Sequence, residues 1–241
     1  MPETGNNTTC GTKKLSIRLS PDGLSFLVQG DRAPLCGFIA GTSGPETVGK
    51  LAKKNAPGRT DGPVNVLLET LKTVAVPTSI FEEETATSYL AVNSLMPAHD
   101  ETAVVSPEAG GVRCVMVWNT DTLRALYDHW GNSVRFYSPL QQGIATVGEQ
   151  EVLIGLGRHL LCLVFRDSRI RYAEMLPFQG VADLLYYMGH LHTLFDLSKA
   201  KVRLTGLGAA QLAKELRHHY INMTADESPR FMKSDRSHVV L

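Results

Sequence analysis

Leu15-Ser-Ile-Arg-Leu-Ser-Pro-Asp-Gly-Leu-Ser-Phe-Leu-Val28 is the stretch on which the fold turns. Apolar and polar residues alternate over Leu15–Leu19, the period of a half-buried strand, and Leu24–Gln29 reads as the returning strand. Pro21-Asp22-Gly23 lies between them. Proline presets φ and Asp-Gly favours a tight reversal, so the segment is a hairpin. Leu35–Ala40 predicts a third strand and makes the opening a meander. A second meander is written at Glu151–Leu156, Leu160–Phe165 and Ile170–Glu174, with Asp167-Ser168 at one of its turns. Neither hairpin, Leu15–Gln29 nor Glu151–Glu174, ends its first strand on a carboxylate.

Each meander leads into helices and strands. After the first, Ser43 and Glu46 have the spacing of a capping box with Pro45 in the first turn, and Val48, Leu51 and Ala52 give an apolar face. Asn55–Pro63 reads as a loop. Val64–Thr73 has helical apolar spacing, Val74–Val76 a short strand, and Glu82–Leu95 a helix with acids in its first turn. Thr102–Val105 and Val112–Trp118 predict strands. Asn119 caps a helix with Leu123, Leu126, Tyr127 and Trp130 on one face. Val134–Tyr137 predicts a strand, and Leu140–Val147 a helix. After the second meander, Val181, Leu184, Leu185, Met188, Leu191 and Phe195 form one helical stripe. Val202–Thr205 is a strand, and Gly206-Leu207-Gly208 leads into a helix with Ala209, Leu212, Ala213 and Leu216 inward. A hairpin-led meander, a helix, then a strand feeding a helix therefore occurs twice. This predicts an α/β protein of two related lobes: a flexible arm at residues 1–12, a first lobe at 13–140, a smaller second lobe at 141–222, and a polar, partly disordered tail at 223–241.

Composition narrows the function classes. The chain is 43% hydrophobic and 20% charged, ordinary for a globular protein, and its formal net charge is zero. No global basic field draws nucleic acid, so none is expected as a partner. The longest apolar run, Leu160–Phe165, is far short of the ~20 residues that span a bilayer, so no membrane insertion is expected. Met1–Lys14 is polar and lacks the apolar stretch of a signal peptide, which predicts a cytoplasmic protein. Cys10, Cys36, Cys114 and Cys162 are widely spaced without a C-x-x-C pair. Cys36, Cys114 and Cys162 sit in apolar strand-like contexts, where cysteine acts as a small hydrophobe.

Most motifs have a structural explanation that competes with a chemical one. Gly44-Pro-Glu-Thr-Val-Gly-Lys50 matches much of a phosphate loop, but Leu51 stands where the magnesium-binding Ser or Thr belongs. The same residues make a capped amphipathic helix. His190 and His192, and the adjacent His218 and His219, lack the three- or four-residue spacing that puts two ligands on one helix face, so no metal site is expected. Arg166, Arg169 and Arg171 read as a solvated hairpin tip. No G-x-S-x-G or other nucleophile motif is present, and no catalytic residue is assigned. Gly206 and Gly208 lie between a strand and a helix start, a place that suits either tight packing or an anion. The apolar terminus Val239-Val240-Leu241 reads as a disordered end or a strand to add to a partner's sheet.

The order of these elements resembles an uncharacterised family of bacterial proteins with an actin-like ATPase fold. The resemblance rests on Leu15–Val28, on Val76-Pro-Thr-Ser-Ile-Phe81 before an acidic helix, on Val152-Leu-Ile-Gly-Leu-Gly-Arg-His159, and on Val202-Arg-Leu-Thr-Gly206. It covers roughly Lys13–Tyr220 and is similar also to the cytoplasmic actin-like scaffold proteins of pilus and secretion machines. It implies two ribonuclease-H-like lobes with mixed five-stranded sheets and flanking helices around a cleft. In catalytic members of that fold each first hairpin ends on an acid that holds Mg²⁺ and a glycine that admits phosphate. Here Arg18 takes the acidic position of the first hairpin and Ser20 the glycine, while Gly155 takes the acidic position of the second and Gly157 remains. A guanidinium can touch phosphate but cannot hold Mg²⁺. The adenosine-side element is better kept, as Thr205-Gly206 before the last helix.

The resemblance therefore implies a vestigial nucleotide cleft made of Arg18, Ser20, Asp22, Gly23, Gly155, Gly157, Thr205, Gly206 and Gly208. The expected function is non-catalytic, through protein–protein interaction as a scaffold or regulator. No cofactor is expected, although ATP binding without hydrolysis stays open, and so does self-association. The alternative is an ATP-binding ATPase or kinase that uses a displaced acid such as Asp22. A phosphate-loop enzyme built on Gly44–Lys50 is the third reading, and burial of Val48 and Leu51 in a core would remove it.

Overall fold

In the first hairpin, β1 (Lys14–Ser20) pairs antiparallel with β2 (Gly23–Gln29), and β2 pairs antiparallel with β3 (Leu35–Ala40). The computed structural model describes residues 14–29, 35–55, 62–206, 208–220 and 222–226. The arm at 1–12, Cys10, most of the 55–63 loop and the apolar terminus at 239–241 lie outside the described residues.

Helix α1 (Pro45–Asn55) then crosses over to β4 (Val64–Leu68), which lies parallel to β1 on its other side. Parallel neighbours cannot be joined by a tight turn, so a crossover helix is the expected connection. Helical spacing over Val64–Thr73 predicts a helix; the chain instead makes β4 there and turns into β5 (Thr73–Pro77). All five residues of β4 are buried. A strand covered on both faces reads as a continuous apolar run, and so short a run has no period that separates strand from helix.

Residues 73–119 form a separate three-stranded sheet of order β5-β7-β6, with β6 at Glu101–Val105 and β7 at Val112–Asn119. The helix expected over Glu82–Leu95 is shorter. Two 3-10 turns, Thr78–Ile80 and Glu83–Thr85, precede α2 (Ala86–Val92), and Ser94 at φ 58° ends the turn that follows. The chain rejoins the first sheet through α3 (Thr120–Trp130) and β8 (Val134–Tyr137), which lies parallel to β4. Asn119 caps α3 as expected, its side chain accepting the Thr122 N–H at 3.0 Å. Leu123 and Leu126 are buried, whereas Tyr127 stays 43% exposed and meets Phe136 edge-on.

After α4 (Pro139–Thr146) the pattern repeats. Strands β9 (Glu151–Leu156), β10 (Leu160–Asp167) and β11 (Arg169–Pro177) form the second meander. Helix α5 (Val181–Leu194), β12 (Lys201–Gly206), α6 (Ala209–Leu216) and β13 (Met223–Asp226) follow. Met223–Asp226 falls in the stretch read as a polar tail, yet it pairs parallel with β12 as an edge strand. Its polar pattern carried no signal, because main-chain hydrogen bonds to β12 hold it rather than its own apolar face.

The first sheet has the order β3-β2-β1-β4-β8 and the second β11-β10-β9-β12-β13. In both, the first two pairings are antiparallel and the last two parallel. The three-stranded sheet is what the first half adds to this shared plan. One core lies between the first sheet and helices α1 and α3, and another between the second sheet and helices α5 and α6. Helix α4 packs Leu140 and Ile144, with Val147 at its C-terminal cap, on the second sheet's other face, where Ala75 and Val112 of the three-stranded sheet join the cluster. Among the described residues, no helix is long and apolar enough to cross a membrane.

Candidate functional site

The two hairpins turn in the same register. In the first, Leu19 faces Leu24 and Ser20 faces Gly23 across the turn Pro21-Asp22. In the second, Leu156 faces Leu161, and the Gly157 N–H donates to the Leu160 carbonyl at 2.8 Å across Arg158-His159. Leu19 thus matches Leu156, Ser20 matches Gly157, and Arg18 matches Gly155. The parallel neighbours agree, since Leu19 lies beside Leu68 of β4 and Leu156 beside Gly206 of β12.

The first tip is held by hydroxyls. Ser20, 7% exposed, donates its hydroxyl to Asp22 Oδ1 at 2.8 Å, with the Gly23 carbonyl 3.0 Å away. Ser43 has capping-box spacing in the sequence, but its hydroxyl donates to the Ser20 and Gly23 carbonyls instead. Its own carbonyl accepts the Thr122 hydroxyl at 3.1 Å. Ser43 therefore ties the turn to the start of α1 and to α3. Gly23 is needed because β3 crosses close by: a Cβ there would sit 2.5 Å from the Ile39 carbonyl oxygen and 2.6 Å from the Phe38 ring. Burial pushes the Asp22 carboxyl up, but the Ser20 hydroxyl and the Arg158 guanidinium outweigh it and hold it below the usual carboxylate value.

Two ion pairs occupy the space between the tips. Arg18 Nη2 donates to Glu69 Oε1. Glu69 is 5% exposed and stands just past β4, placed by its N–H donating to the Leu19 carbonyl at 2.9 Å. Gly157 of the second hairpin lies directly against this pair: a Cβ there would be 2.9 Å from Glu69 Oε1 and 3.6 Å from Arg18 Nη2. Beside it, Arg158 Nη1 donates to Asp22 Oδ2 at 2.6 Å, linking the second tip to the first. Glu69 and Asp22 are thus each neutralised by a guanidinium.

The remaining predicted residues sit on the second sheet. Gly155 pairs with Thr205, and the buried Thr205 hydroxyl donates to the Ile154 carbonyl at 3.4 Å. Gly206 has φ +108°, and a Cβ there would lie 2.5 Å from the Leu156 carbonyl oxygen, so glycine is required by both backbone and space. Gly208 is the left-handed residue before α6, with nothing within 4 Å of a built Cβ. Arg18, Ser20, Asp22, Gly23 and Gly157 thus converge at the hairpin tips, Gly155, Thr205 and Gly206 adjoin on β9 and β12, and Gly208 stands at the start of α6.

Other candidate motifs dissolve into the fold. Val48 and Leu51 are fully buried inside α1, which removes the phosphate-loop enzyme reading of Gly44–Lys50. His190, His192, His218 and His219 are exposed, and no group of ligating side chains with metal geometry exists among the described residues. The arginine cluster is divided: Arg166 donates to the Ile144 carbonyl at 3.2 Å, and Arg171 lies 5.5 Å from the Phe195 ring centre. Cys36 is exposed, while Cys114 and Cys162 are buried, and burial pushes the Cys114 thiol up.

Three site residues escape a reading of the sequence. Glu69 lies inside Val64–Thr73, whose spacing predicts a helix; the strand Val64–Leu68 that forms there instead places this acid at a central strand's end. Arg158 stood in the quoted motif directly after Gly157, but its partner is 136 positions away. Ser43 carries only a local capping signal in the sequence.

The family model described as "Protein of unknown function (DUF3822)" matches residues 60–222. No curated protein matches the chain. A Bacteroides thetaiotaomicron protein with an actin-like ATPase fold and unknown function superposes with a TM-score of 0.74 at 17% identity, covering 92% of this chain and 93% of that one. Similarity at that identity shows the fold, and the expected actin-like ATPase fold is met. The cytoplasmic domain of EpsL, an inner membrane component of the type II secretion system of Vibrio cholerae, aligns with a TM-score of 0.45 at 13% identity over 80% of this chain and 81% of that one. The ethanolamine utilization protein EutJ from Carboxydothermus hydrogenoformans aligns with a TM-score of 0.44 at 8% identity over 88% and 84%. These last two likenesses are too distant to bear on function.

Proposed function

We propose, from the premise that this chain belongs to the DUF3822 family of proteins of unknown function, that it is a non-catalytic protein of actin-like fold acting through protein–protein contact, as a scaffold or regulator. One observation carries the reading: at the tip of β1 the guanidinium of Arg18, pinned by Glu69, stands against Gly157. Mg²⁺ is held by carboxylate oxygens together with waters and phosphate. Here Glu69 serves Arg18, and Asp22 serves Ser20 and Arg158. Mg²⁺ at either acid would compete with the guanidinium already paired there.

A protein partner fits the surface better than a nucleic acid does. The net charge is zero, and Leu35, Phe38, Ile80 and Val92 are exposed apolar side chains. The same reading puts the protein in the cytoplasm, where the thiols of Cys36, Cys114 and Cys162 stay reduced. The test is phosphate release by the purified chain with Mg²⁺ and ATP. The expected result is a rate equal to that of the heat-denatured control, with no thermal shift at millimolar nucleotide. Magnesium-dependent hydrolysis that disappears in Asp22→Ala would replace this reading with the displaced-acid ATPase.

A further inference from the structure

The two halves of the fold meet in two chemically different places. One is the apolar seam of α4, where Leu140, Ile144 and Val147 pack on Leu153, Cys162 and Val164 of the second sheet, with Ala75 and Val112 of the three-stranded sheet at its border. Apolar contact is non-directional, so such a seam tolerates small rotations without losing most of its burial. The other is the hairpin tips, which meet through charge. Arg158 reaches from the second tip to Asp22 of the first, and Gly157 abuts the Arg18–Glu69 pair. Ion pairs are directional and fall off when their atoms part by a few ångströms.

We infer that these tip contacts are an electrostatic latch: Asp22–Arg158 clasps the two hairpins together without any ligand, Arg18–Glu69 is the stop on which Gly157 rests, and the α4 seam is the pivot. The inference rests on the non-catalytic reading and deepens it. The clasp is made of the chain's own side chains, Asp22 and Arg158. The two pairs differ in shelter. The side chains of Arg158 and Asp22 are 68% and 20% exposed, whereas those of Arg18 and Glu69 are 26% and 6% exposed. Salt therefore screens the clasp and spares the stop. Release comes from whatever competes for Arg158, and it leaves the buried pair intact.

The experiment measures the distance between the sheets by pulsed electron resonance. Spin labels go on Lys53→Cys in α1 and Lys214→Cys in α6, both exposed, with Cys10 and Cys36 replaced by serine. The unliganded parent at low salt is expected to give one narrow distance. Arg158→Ala raises the share of longer distances about two- to fivefold, the range an exposed ion pair carries. About 1 M salt does the same to the parent and adds nothing to Arg158→Ala. The exchanged pair, Asp22→Arg with Arg158→Asp, restores the narrow distance. Identical distributions in parent and Arg158→Ala, or an exchange that stays open, would overturn the latch. Thermal denaturation of each variant confirms folding. Adding Mg²⁺ and ATP separates the two claims. Hydrolysis of that ATP by the parent counts against the non-catalytic reading alone, whereas failure of the exchange removes the latch alone.

Discussion

Hairpin β1–β2 and hairpin β9–β10 turn through two-residue loops in one register, yet Arg18 in the first corresponds to Gly155 in the second. The sheets behind them share strand order and sense, but place their buried charge at opposite ends. In the first sheet Arg18 and Glu69 pair at the tip end of β1 and β4. In the second, Arg203 on β12 makes two hydrogen bonds to Glu151 at the start of β9, at 2.9 and 2.8 Å, and the Gly148 N–H adds a third at 2.6 Å. Strand order depends on main-chain pairing and on apolar residues facing the helices, and both survive in each half. The tip position contributes to neither, so its side chain is the part of the duplicated plan that can change without loss of the fold.

The sharpest way to break this comparison is to remove the charge that the first hairpin carries where the second has Gly155. Arg18→Ala leaves the Glu69 carboxylate, in a residue 5% exposed, without its cation. Stripping one member from a buried pair costs ~3–5 kcal/mol, and partial exposure of Arg18 brings the expected loss to about 2–4 kcal/mol in urea unfolding. The double variant Arg18→Ala with Glu69→Gln should recover most of it. A single variant as stable as the parent would mean that Glu69 is solvated and the pair is incidental.

A second comparison sets Gly206 against Gly155, neighbours on β12 and β9 with different demands. Gly206→Ala meets both a φ of +108° and a carbonyl oxygen 2.5 Å away, and should lower stability by about 2–3 kcal/mol. Gly155→Ala meets only ordinary contacts, the nearest 3.5 Å away at Cys162 Cβ, and should stay within about 1 kcal/mol of the parent. Paired melting curves decide it, and equal losses would dissolve the distinction.

The smallest effect concerns the clasp at acid pH. Because the folded Asp22 carboxyl titrates below its ordinary value, its stabilising share is fully present above the unfolded value of ~3.9 and disappears as pH falls through the folded one. Stability should therefore be flat in this group from pH 7 to about 5, with the loss confined below about pH 4. With Arg158 68% exposed to solvent, the share is under about 1 kcal/mol. Asp22→Asn should shed that part of the acid limb, and an unchanged limb would assign it to other carboxylates.

Legibility followed the range of each interaction. The Pro21-Asp22 turn, the Asn119 cap and the apolar stripe of α5 involve residues a few positions apart, and their signals survive in a single strip of sequence. Strand β4 did not, since burial on both faces erased the alternation that marks a strand. Ser43 was misread because its hydroxyl prefers carbonyls about 20 positions back to the N–H groups ahead. Strand β13 was missed because its place comes from β12 rather than from its own residues.

By itself the sequence determined the two meanders, the absence of a carboxylate at either first-strand end, and the order of elements that repeats, because these depend on neighbours along the chain. Only the tertiary structure decided that Arg18 is neutralised by Glu69, that Gly157 lies against them, and that Asp22 is engaged by Arg158. Those partners are 51 to 136 positions apart. No local pattern encodes such pairs; they arise because two sheets of like order bring their hairpin tips to the same place, where unpaired charge sheltered from water is too costly to leave.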